Sequence, residues 1–425
     1  MGLFDFDEVE DILDEDYVEE ESNFYLKSSE NALELVSKIL STSKQSYQQA
    51  KNLKQIDYLM DVDLLGSLRN IQLNDEAMLQ VKLGQLSDRL IEEKKYQVLR
   101  DKSVIGIGGK FSAGKSKFIN SLLKAEEELL PEDQNPTTSI PTYIVKGEEE
   151  CIKAYTVDNN EVELDIESMK ALTHKFYKKY NMGFSAFIDS LIITEPDVPY
   201  ENLVFLDTPG YSKADIYSDV KAKKNISDEN KAYEQLKSVD YLIWLVDIEN
   251  GVLSESDIAF INKLDLEHPI LVVINKADKK IDAEIEEILE HIKRTIQEAG
   301  IKCFAVSAYS SRNGKEWNQT DFIREYLMEA QKRRKSKEDI LSQISDIEKK
   351  LEKEIEIGIE ERIKERNRLN DVIFRSDDIM EIKTLVDIYG ESMESIRNMK
   401  QCKYFYQKTV RKLETALDKH YERKH

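Results

Sequence analysis

The chain has 425 residues, a formal net charge of −22 and 40% hydrophobic residues, enough for two or three domains with real cores. No apolar run approaches the length of a membrane-spanning helix, so we expect nothing to cross a bilayer. The three cysteines, Cys151, Cys303 and Cys402, are far apart, and the N-terminus lacks the basic and apolar regions of a signal peptide. These features predict a cytoplasmic protein whose membrane contact, if any, is peripheral.

The first 22 residues form a separate acidic segment, with eleven acids and no lysine or arginine. One interpretation is a disordered, solvated tail. The other is an acidic–hydrophobic segment that folds on a partner. In either case the segment would repel nucleic acid and anionic membranes, and we expect no nucleic-acid partner.

Both flanks of the chain have helical periodicity. In residues 23–100, Leu33, Val36 and Leu40 are predicted to share one face, and a later helix carries leucines at 4-3-4 spacing. Residues 331–425 repeat this pattern, with Ile340, Ile344, Ile347 and Leu351. We expect residues 23–100 and 331–425, which precede and follow a central domain at 101–330, to pack together as one antiparallel helical bundle of coiled-coil type.

The first motif in the central domain is Gly109–Ser116, which matches the phosphate-loop pattern G-x-x-x-x-G-K-[ST]. It follows a strand-like run and precedes a helix-like one. Backbone N–H groups in such a loop surround phosphates, and the helix N-terminus adds positive potential. Lys115 is predicted to reach the β- and γ-phosphates, and Ser116 to ligate Mg²⁺. The predicted loop contacts are Gly109, Lys110, Phe111, Ser112, Ala113, Gly114, Lys115, Ser116 and Lys117.

Asp207-Thr-Pro-Gly210 follows a second apolar run. A carboxylate at that strand end is placed to hold Mg²⁺ through water, and the Gly210 N–H to contact a γ-phosphate. Loss of that contact on hydrolysis would release the loop.

Asn275-Lys276-Ala277-Asp278 is predicted to select the base. The ionised Asp278 carboxylate only accepts hydrogen bonds, and guanine offers it two adjacent donors where adenine offers none. Lys276 is expected to lie along the base. Ser307-Ala308 follows the next strand-like run, and we expect the Ala308 N–H to face guanine O6.

The motif Phe-Ser-Ala-Gly-Lys-Ser, the downstream Asn-Pro-Thr-Thr-Ser-Ile-Pro-Thr and the run Val239–Asp247 together resemble dynamin-like large GTPases of the bacterial type. The resemblance covers roughly residues 100–325. It implies an α/β P-loop GTPase domain, with a mostly parallel sheet and flanking helices, beside an α-helical bundle formed by the N- and C-terminal flanks. GTP/GDP and Mg²⁺ are the implied cofactors.

An insertion near residues 146–200 separates Ser116 from Asp207. The pattern predicts a hairpin around 158–160 and a basic helix over Met169–Tyr180. Enlarged switch regions of this kind occur in dynamin-like proteins. The alternative is a solvated excursion without a role.

Neither glutamine that orients water in related GTPases is present, because Tyr211 and Phe111 occupy those positions. The resemblance points instead to Thr138 and Ser112 as catalytic residues beside Lys115, with Ser116, Thr138 and Asp207 around the metal. We expect slow intrinsic hydrolysis that rises when two GTPase domains pair.

Three functions fit these motifs. One is a dynamin-like mechanoenzyme, whose nucleotide-driven self-association acts on a membrane. Another is a regulatory GTPase that scaffolds a partner protein without membrane work. The weakest is an RNA-associated GTPase, because the flanks show no RNA-binding domain. The sequence shows no clear lipid-binding tip between the helices of the flanks.

Overall fold

The computed structural model describes residues 23–40, 58–64, 66, 76–123, 129–130, 140–157, 160–172, 176, 179–180, 182–184, 187–208, 229–317, 321–332 and 336–421. Predictions for the acidic segment 1–22 and for Thr138, Gly210 and Tyr211 lie outside these residues. The chain divides into two compact units. The described part of one is residues 23–40 and 101–332, and that of the other is residues 58–100 and 336–421.

The first unit is built on a ten-stranded sheet in the order β10-β9-β8-β7-β1-β6-β2-β5-β3-β4. The strands are β1 Ser103–Gly109, β2 Thr142–Lys146, β3 Cys151–Thr156, β4 Glu161–Leu164, β5 Ile188–Glu195, β6 Leu203–Asp207, β7 Tyr241–Asp247, β8 Ile270–Asn275, β9 Cys303–Ser310 and β10 Lys315–Glu316. Strands β6, β1, β7, β8 and β9 are mutually parallel. Their central residues are buried, as expected for strands covered on both faces.

The parallel arrangement determines where the motifs meet. Each motif follows the carboxyl end of its strand, and parallel neighbours end at the same edge of the sheet. Strand β1 lies between β6 and β7, so the phosphate loop begins between the ends of those two strands. The predicted α/β domain with a mostly parallel sheet is confirmed.

The predicted insertion is part of this sheet. Strands β3 and β4 pair antiparallel, as the hairpin prediction requires, and β3 also pairs with β5. Strand β5 continues parallel to β2. The solvated-excursion alternative is therefore wrong, because these strands extend the sheet and bury apolar side chains in its core.

Helices cover this sheet. They are α1 Phe24–Lys27, α2 Ser29–Leu40, α4 Lys115–Leu123, α5 Ile166–Ala171, α6 Glu255–Leu264, α7 Asp282–Glu298 and α8 Phe322–Ala330. Helix α5 starts earlier than the predicted basic helix over Met169–Tyr180 and ends at Ala171. Phe176, Lys179 and Tyr180, in the same predicted range, are again helical. The start of α5 is set by Asp165, whose carboxylate accepts the Ser168 N–H at 2.6 Å.

Helices α1 and α2 belong to the sheet unit, although their residues were predicted to begin the bundle. The Asn23 amide donates to the Glu167 carbonyl at 2.9 Å. The face of α2 also differs from the prediction, because Leu35 and Ile39 are buried while Leu33 and Leu40 are 59% and 57% exposed. Ala32, Leu35 and Ile39 have the same spacing as the predicted triad Leu33, Val36 and Leu40. The first triad is the one buried in the core of the sheet unit.

The second unit consists of α3 Glu76–Lys95, α9 Ser336–Ile373 and α10 Ile379–Tyr421, with a π-helical turn at Tyr58–Leu64. Helices α9 and α10 form an antiparallel pair. The buried core of the whole unit consists of Leu59, Leu64, Leu83, Leu86, Ile340, Ile344, Ile347, Leu351, Ile355, Met399, Cys402, Tyr406, Val410, Leu413 and Leu417. A helical bundle formed by both flanks of the central domain is therefore confirmed. No described helix in either unit is long and apolar enough to cross a membrane.

Candidate nucleotide site

The phosphate loop leaves β1 through a conformation that only glycine tolerates. Gly109 has φ +139°, and a Cβ there would lie 2.5 Å from the Leu245 carbonyl oxygen. Residues Phe111–Ala113 then form one 3₁₀ turn. Gly114 follows with φ +76°, and a Cβ there would lie 3.0 Å from Asn275 Nδ2. The loop therefore turns tightly into α4, which leaves backbone N–H groups to face a ligand.

Lys115 is buried at the start of α4. Its Nζ donates only weakly to loop carbonyls, at 3.4 Å from Gly109 and 3.5 Å from Lys110. Burial lowers the pKa of Lys115 to about 8, and the nearby Asp207 opposes that shift. A buried ammonium with such long contacts is suited to an anion that would complete its hydrogen bonds.

Ser116 and Asp207 come together although 91 residues separate them. The Ser116 hydroxyl donates to Asp207 Oδ2 at 2.7 Å. Oδ1 is also buried, and no residue that the structure describes donates to it. Burial raises the pKa of Asp207, while Lys115 and Ser116 act in the opposite direction. A hydroxyl beside a carboxylate with an unsatisfied oxygen fits a hard cation such as Mg²⁺.

The base motif is held by hydrogen bonds of one buried amide. Asn275 Nδ2 donates to the Ala113 carbonyl of the phosphate loop at 2.9 Å. Its Oδ1 accepts the Ser311 hydroxyl at 2.8 Å and the Ser311 N–H at 3.2 Å. The amide thus joins the phosphate loop, β8 and the residue that follows β9.

Asp278 is the exposed acceptor of this motif. Its Oδ1 accepts the Ser310 hydroxyl at 2.5 Å. Lys276, at φ +64°, directs its ammonium to Asp247 Oδ2 at 2.8 Å. Both contacts hold charged side chains in place near the carboxyl ends of β7, β8 and β9.

The structure brings Ser310 and Ser311 to the base motif in place of Ser307 and Ala308. The Ser307 hydroxyl donates to Glu316, and Ala308 lies inside β9 opposite Ile274. The sequence prediction ended β9 too early, because it treated the polar Ser307 as the end of the apolar run. In the parallel register, β9 must run past Ala308 to reach the level of Asp278.

Sequence reasoning also missed three acidic or hydroxyl partners of the predicted lysines. They are Asp247, beside Lys276, and Ser254 and Asp257, both beside Lys110. Asp247 ends β7, whereas Ser254 and Asp257 lie at the start of α6, and the sequence analysis gave none of the three a role at the site. Of the other predicted loop residues, Ser112 and Lys117 are exposed and Ala113 is buried.

Residues 105–278 match the sequence model of the Dynamin family. This part of the chain is therefore similar to dynamin-family GTPase domains. Dynamin-like protein 2 of Campylobacter jejuni is 26% identical over 224 residues, which cover 52% of this chain and 34% of that protein. An uncharacterized protein from the xynA 3′ region of a Caldicellulosiruptor species is 25% identical over 254 residues, covering 56% of this chain and 59% of that protein.

A solved structure of an oligomerised bacterial dynamin pair, described as sensing and tethering membranes, aligns with a TM-score of 0.45 and 16% identity over 87% of this chain and 52% of that one. The chain thus spans between about a third and three fifths of the length of the relatives named here. The resemblance to dynamin-like GTPases that the sequence predicted is confirmed. GTP hydrolysis is the activity of that family.

Proposed function

We propose that this chain binds GTP and GDP with Mg²⁺, hydrolyses GTP, and uses the nucleotide to drive self-association at a membrane surface. The observation that carries the proposal is the convergence of three motifs at one sheet edge: the phosphate loop, Asp207 and Asn275–Asp278. The buried cation of Lys115 and the Ser116–Asp207 pair lie at the phosphate end. The exposed Asp278 carboxylate lies at the base end.

The roles of these residues follow from their chemistry. Lys115 exchanges its long carbonyl contacts for phosphate oxygens, and the N-terminus of α4 adds N–H donors. Ser116 and Asp207 would hold Mg²⁺, which neutralises phosphate charge when bound. Asp278 selects guanine, since its carboxylate accepts from two donors that adenine lacks. We assign Ser112 and Thr138 to the region of the γ-phosphate on the family resemblance.

Calorimetric titration of the purified chain with GDP and ADP, each with Mg²⁺, tests the proposal. We expect GDP to bind and ADP to bind at least about a thousandfold more weakly. Lys115→Ala should abolish GTP turnover and strongly weaken triphosphate binding, because a buried phosphate would lose its cation. Lys153→Met, which removes an exposed lysine of β3, is the matched control. Tight ADP binding, or full turnover in Lys115→Ala, would refute the guanine site.

The membrane part of the proposal is supported by the turn between α9 and α10. Phe374, Ile379 and Met380 are 88%, 79% and 72% exposed there. Large apolar side chains clustered at this exposure are unusual on a soluble surface and are typical of contact sites. The structure thus supplies an apolar tip that the sequence analysis did not find.

The charge of the turn favours insertion over electrostatic attraction. Asp377, Asp378 and Glu381 are exposed beside the apolar residues. Acidic side chains would be repelled by anionic headgroups, so binding must come from burying the apolar residues in the interface. We therefore expect binding to zwitterionic vesicles that changes little with salt.

Co-sedimentation with phosphatidylcholine vesicles, with and without a GTP analogue, tests the apolar tip. The double variant Phe374→Ser/Ile379→Ser should lose most of the binding. Val157→Ser, which removes an exposed apolar side chain of the other unit, should keep it. If the wild-type protein does not co-sediment with vesicles in any nucleotide state, the result would favour the regulatory alternative, in which the partner is a protein.

A further inference from the structure

Lys110 of the phosphate loop is engaged outside that loop. Its Nζ lies 3.2 Å from Asp257 Oδ2 and 3.1 Å from the Ser254 hydroxyl. Both partners lie at the N-terminus of α6, the helix that follows β7. The lysine side chain is 33% exposed, whereas that of Asp257 is only 4% exposed. The contact therefore joins a partly solvated cation to a buried carboxylate.

Asp257 already completes the cap of α6 without the lysine. Its Oδ2 accepts the Ser254 N–H at 2.9 Å, and the Ser254 hydroxyl caps the helix in return. Capping accounts for the carboxylate's position but leaves a buried negative charge. A buried charge is costly unless it is hydrogen-bonded and paired with a cation. The Ser254 hydroxyl donates to Asp257 Oδ2 at 2.6 Å, and Lys110 is a cation that the structure places beside the same oxygen. Separating the pair would expose that cost.

The backbone carbonyl of Lys110 contacts the phosphate loop itself. Its carbonyl accepts the Ala113 N–H at 3.1 Å, which closes the 3₁₀ turn. The same carbonyl is the 3.5 Å partner of Lys115 Nζ. One residue thus connects α6, through its side chain, to the turn and to the phosphate-binding lysine, through its carbonyl.

We propose that Lys110 is a positioning residue: its ion pair with Asp257 anchors the phosphate loop to α6 and holds the Phe111–Ala113 turn ready for phosphate. The proposal rests on the guanine-nucleotide site proposed above. Lys110 stays on Asp257 when the nucleotide binds, and its contribution to affinity passes through the loop conformation. An anchored loop loses less conformational freedom on binding, so the anchor strengthens binding.

Two other roles for Lys110 predict a different GDP affinity for the variant Asp257→Asn. A direct phosphate ligand would be released by Asp257→Asn, so this variant would bind GDP more tightly or equally well. A purely structural cap would make both Lys110→Met and Asp257→Asn less stable without changing GDP affinity. The anchor predicts weaker GDP binding in both variants. Asp257→Asn keeps an oxygen that accepts the Ser254 N–H, so α6 stays capped.

The experiment measures GDP affinity and release for the full chain, four variants of the ion pair and one control variant. A fluorescent GDP analogue reports the dissociation rate, calorimetry the Kd, and thermal unfolding the folded state. We expect Lys110→Met and Asp257→Asn each to raise the Kd about tenfold, and the double variant to be no worse than either one, because both remove the same interaction. Lys110→Arg should restore binding to within about twofold, since it keeps the charge. Lys153→Met, which breaks a surface pair with Glu161, is the control.

Each outcome decides the anchor. Tighter or unchanged GDP binding in Asp257→Asn overturns it in favour of a direct ligand. Lower melting temperatures with an unchanged Kd overturn it in favour of the cap. Additive losses in the double variant also overturn it, because independent effects add. A wild-type chain that binds no GDP refutes the proposed function first, and the anchor with it.

Discussion

At the residue scale, specificity depends on side chains that hold other side chains. Asn275 uses its whole amide on Ala113 and Ser311, which keeps the base motif against the phosphate loop. Ser310 orients the Asp278 carboxylate. Such supporting hydrogen bonds determine how well a ligand-facing group is preorganised.

Ser310→Ala should weaken GDP binding about tenfold, because the Asp278 carboxylate loses the hydroxyl that orients it. Ser307→Ala is the informative comparison, since that hydroxyl donates to Glu316 away from Asp278. Calorimetric Kd values for the two variants decide between the positions. A larger loss in Ser307→Ala would return the base contact to Ser307 and Ala308.

Asp278→Asn should weaken GTP and GDP binding and improve binding of xanthosine nucleotides. The amide donates a hydrogen bond to the additional xanthine oxygen, which a carboxylate cannot do. Competition of GDP and xanthosine diphosphate against a fluorescent nucleotide measures this exchange. The same preference order in variant and wild type would show that Asp278 does not face the base.

At the scale of elements, the pair α9–α10 changes character along its length. Towards the start of α9 and the end of α10, Leu351 and Tyr406 are buried in the core of the unit. Between Ile355 on α9 and Ser392 on α10, approaching the turn, no described residue is buried. Stability of this unit therefore comes from its end distant from the turn.

Glu348 in that buried part of the unit is a source of pH dependence. Burial raises the pKa of Glu348, assisted by Glu352 and Glu414. A carboxyl group whose pKa is raised on folding stabilises the fold at pH values below its ordinary pKa. This contribution is lost as the pH rises through the raised pKa. At neutral pH, Glu348 therefore lowers the stability of the unit.

Glu348→Gln should raise the melting temperature at pH 8, and the gain should shrink towards pH 5.5 as the wild-type carboxyl takes up a proton. The exposed Glu360, on the same helix, provides the control substitution Glu360→Gln, with no pH-dependent gain expected. Differential scanning calorimetry at both pH values measures the difference. A gain that is equal at both pH values, or equal in the two variants, would refute the electrostatic cause.

At the scale of the whole molecule, the sheet unit carries the nucleotide motifs and the helical unit carries the apolar tip. Residues 105–278 of the sheet unit match the sequence model of the Dynamin family. The coupling between nucleotide and assembly stays a prediction. It depends on residues such as Thr138, which the described part of the chain does not include.

We predict that GDP with aluminium fluoride, or a GTP analogue, drives pairing of GTPase domains, and that turnover per molecule rises with protein concentration. Ordering the switch residues across an interface would supply the preorganisation that Phe111 and Tyr211 cannot give. Light scattering in each nucleotide state and turnover over a range of concentrations test this. A monomer in every state with constant turnover would favour the regulatory switch.

The sequence by itself determined the class of fold and the motifs that make up the candidate site. Motif spacing and strand-like runs identified β1, β6, β7, β8 and β9, because a buried parallel strand needs a continuous apolar run. The glycines and Lys115 were predictable, since phosphate binding demands those residue types. The bundle followed from helical periodicity in residues 76–95 and 336–421.

Only the tertiary structure decided which of several equivalent patterns is used. In α2, Leu35 and Ile39 face the sheet rather than Leu33 and Leu40, because two triads have equal spacing. Register with β8 carries β9 to Ser310, and packing of α6 beside the phosphate loop brings Asp257 to Lys110. These contacts join residues distant in the chain, and local periodicity contains no information about such distances.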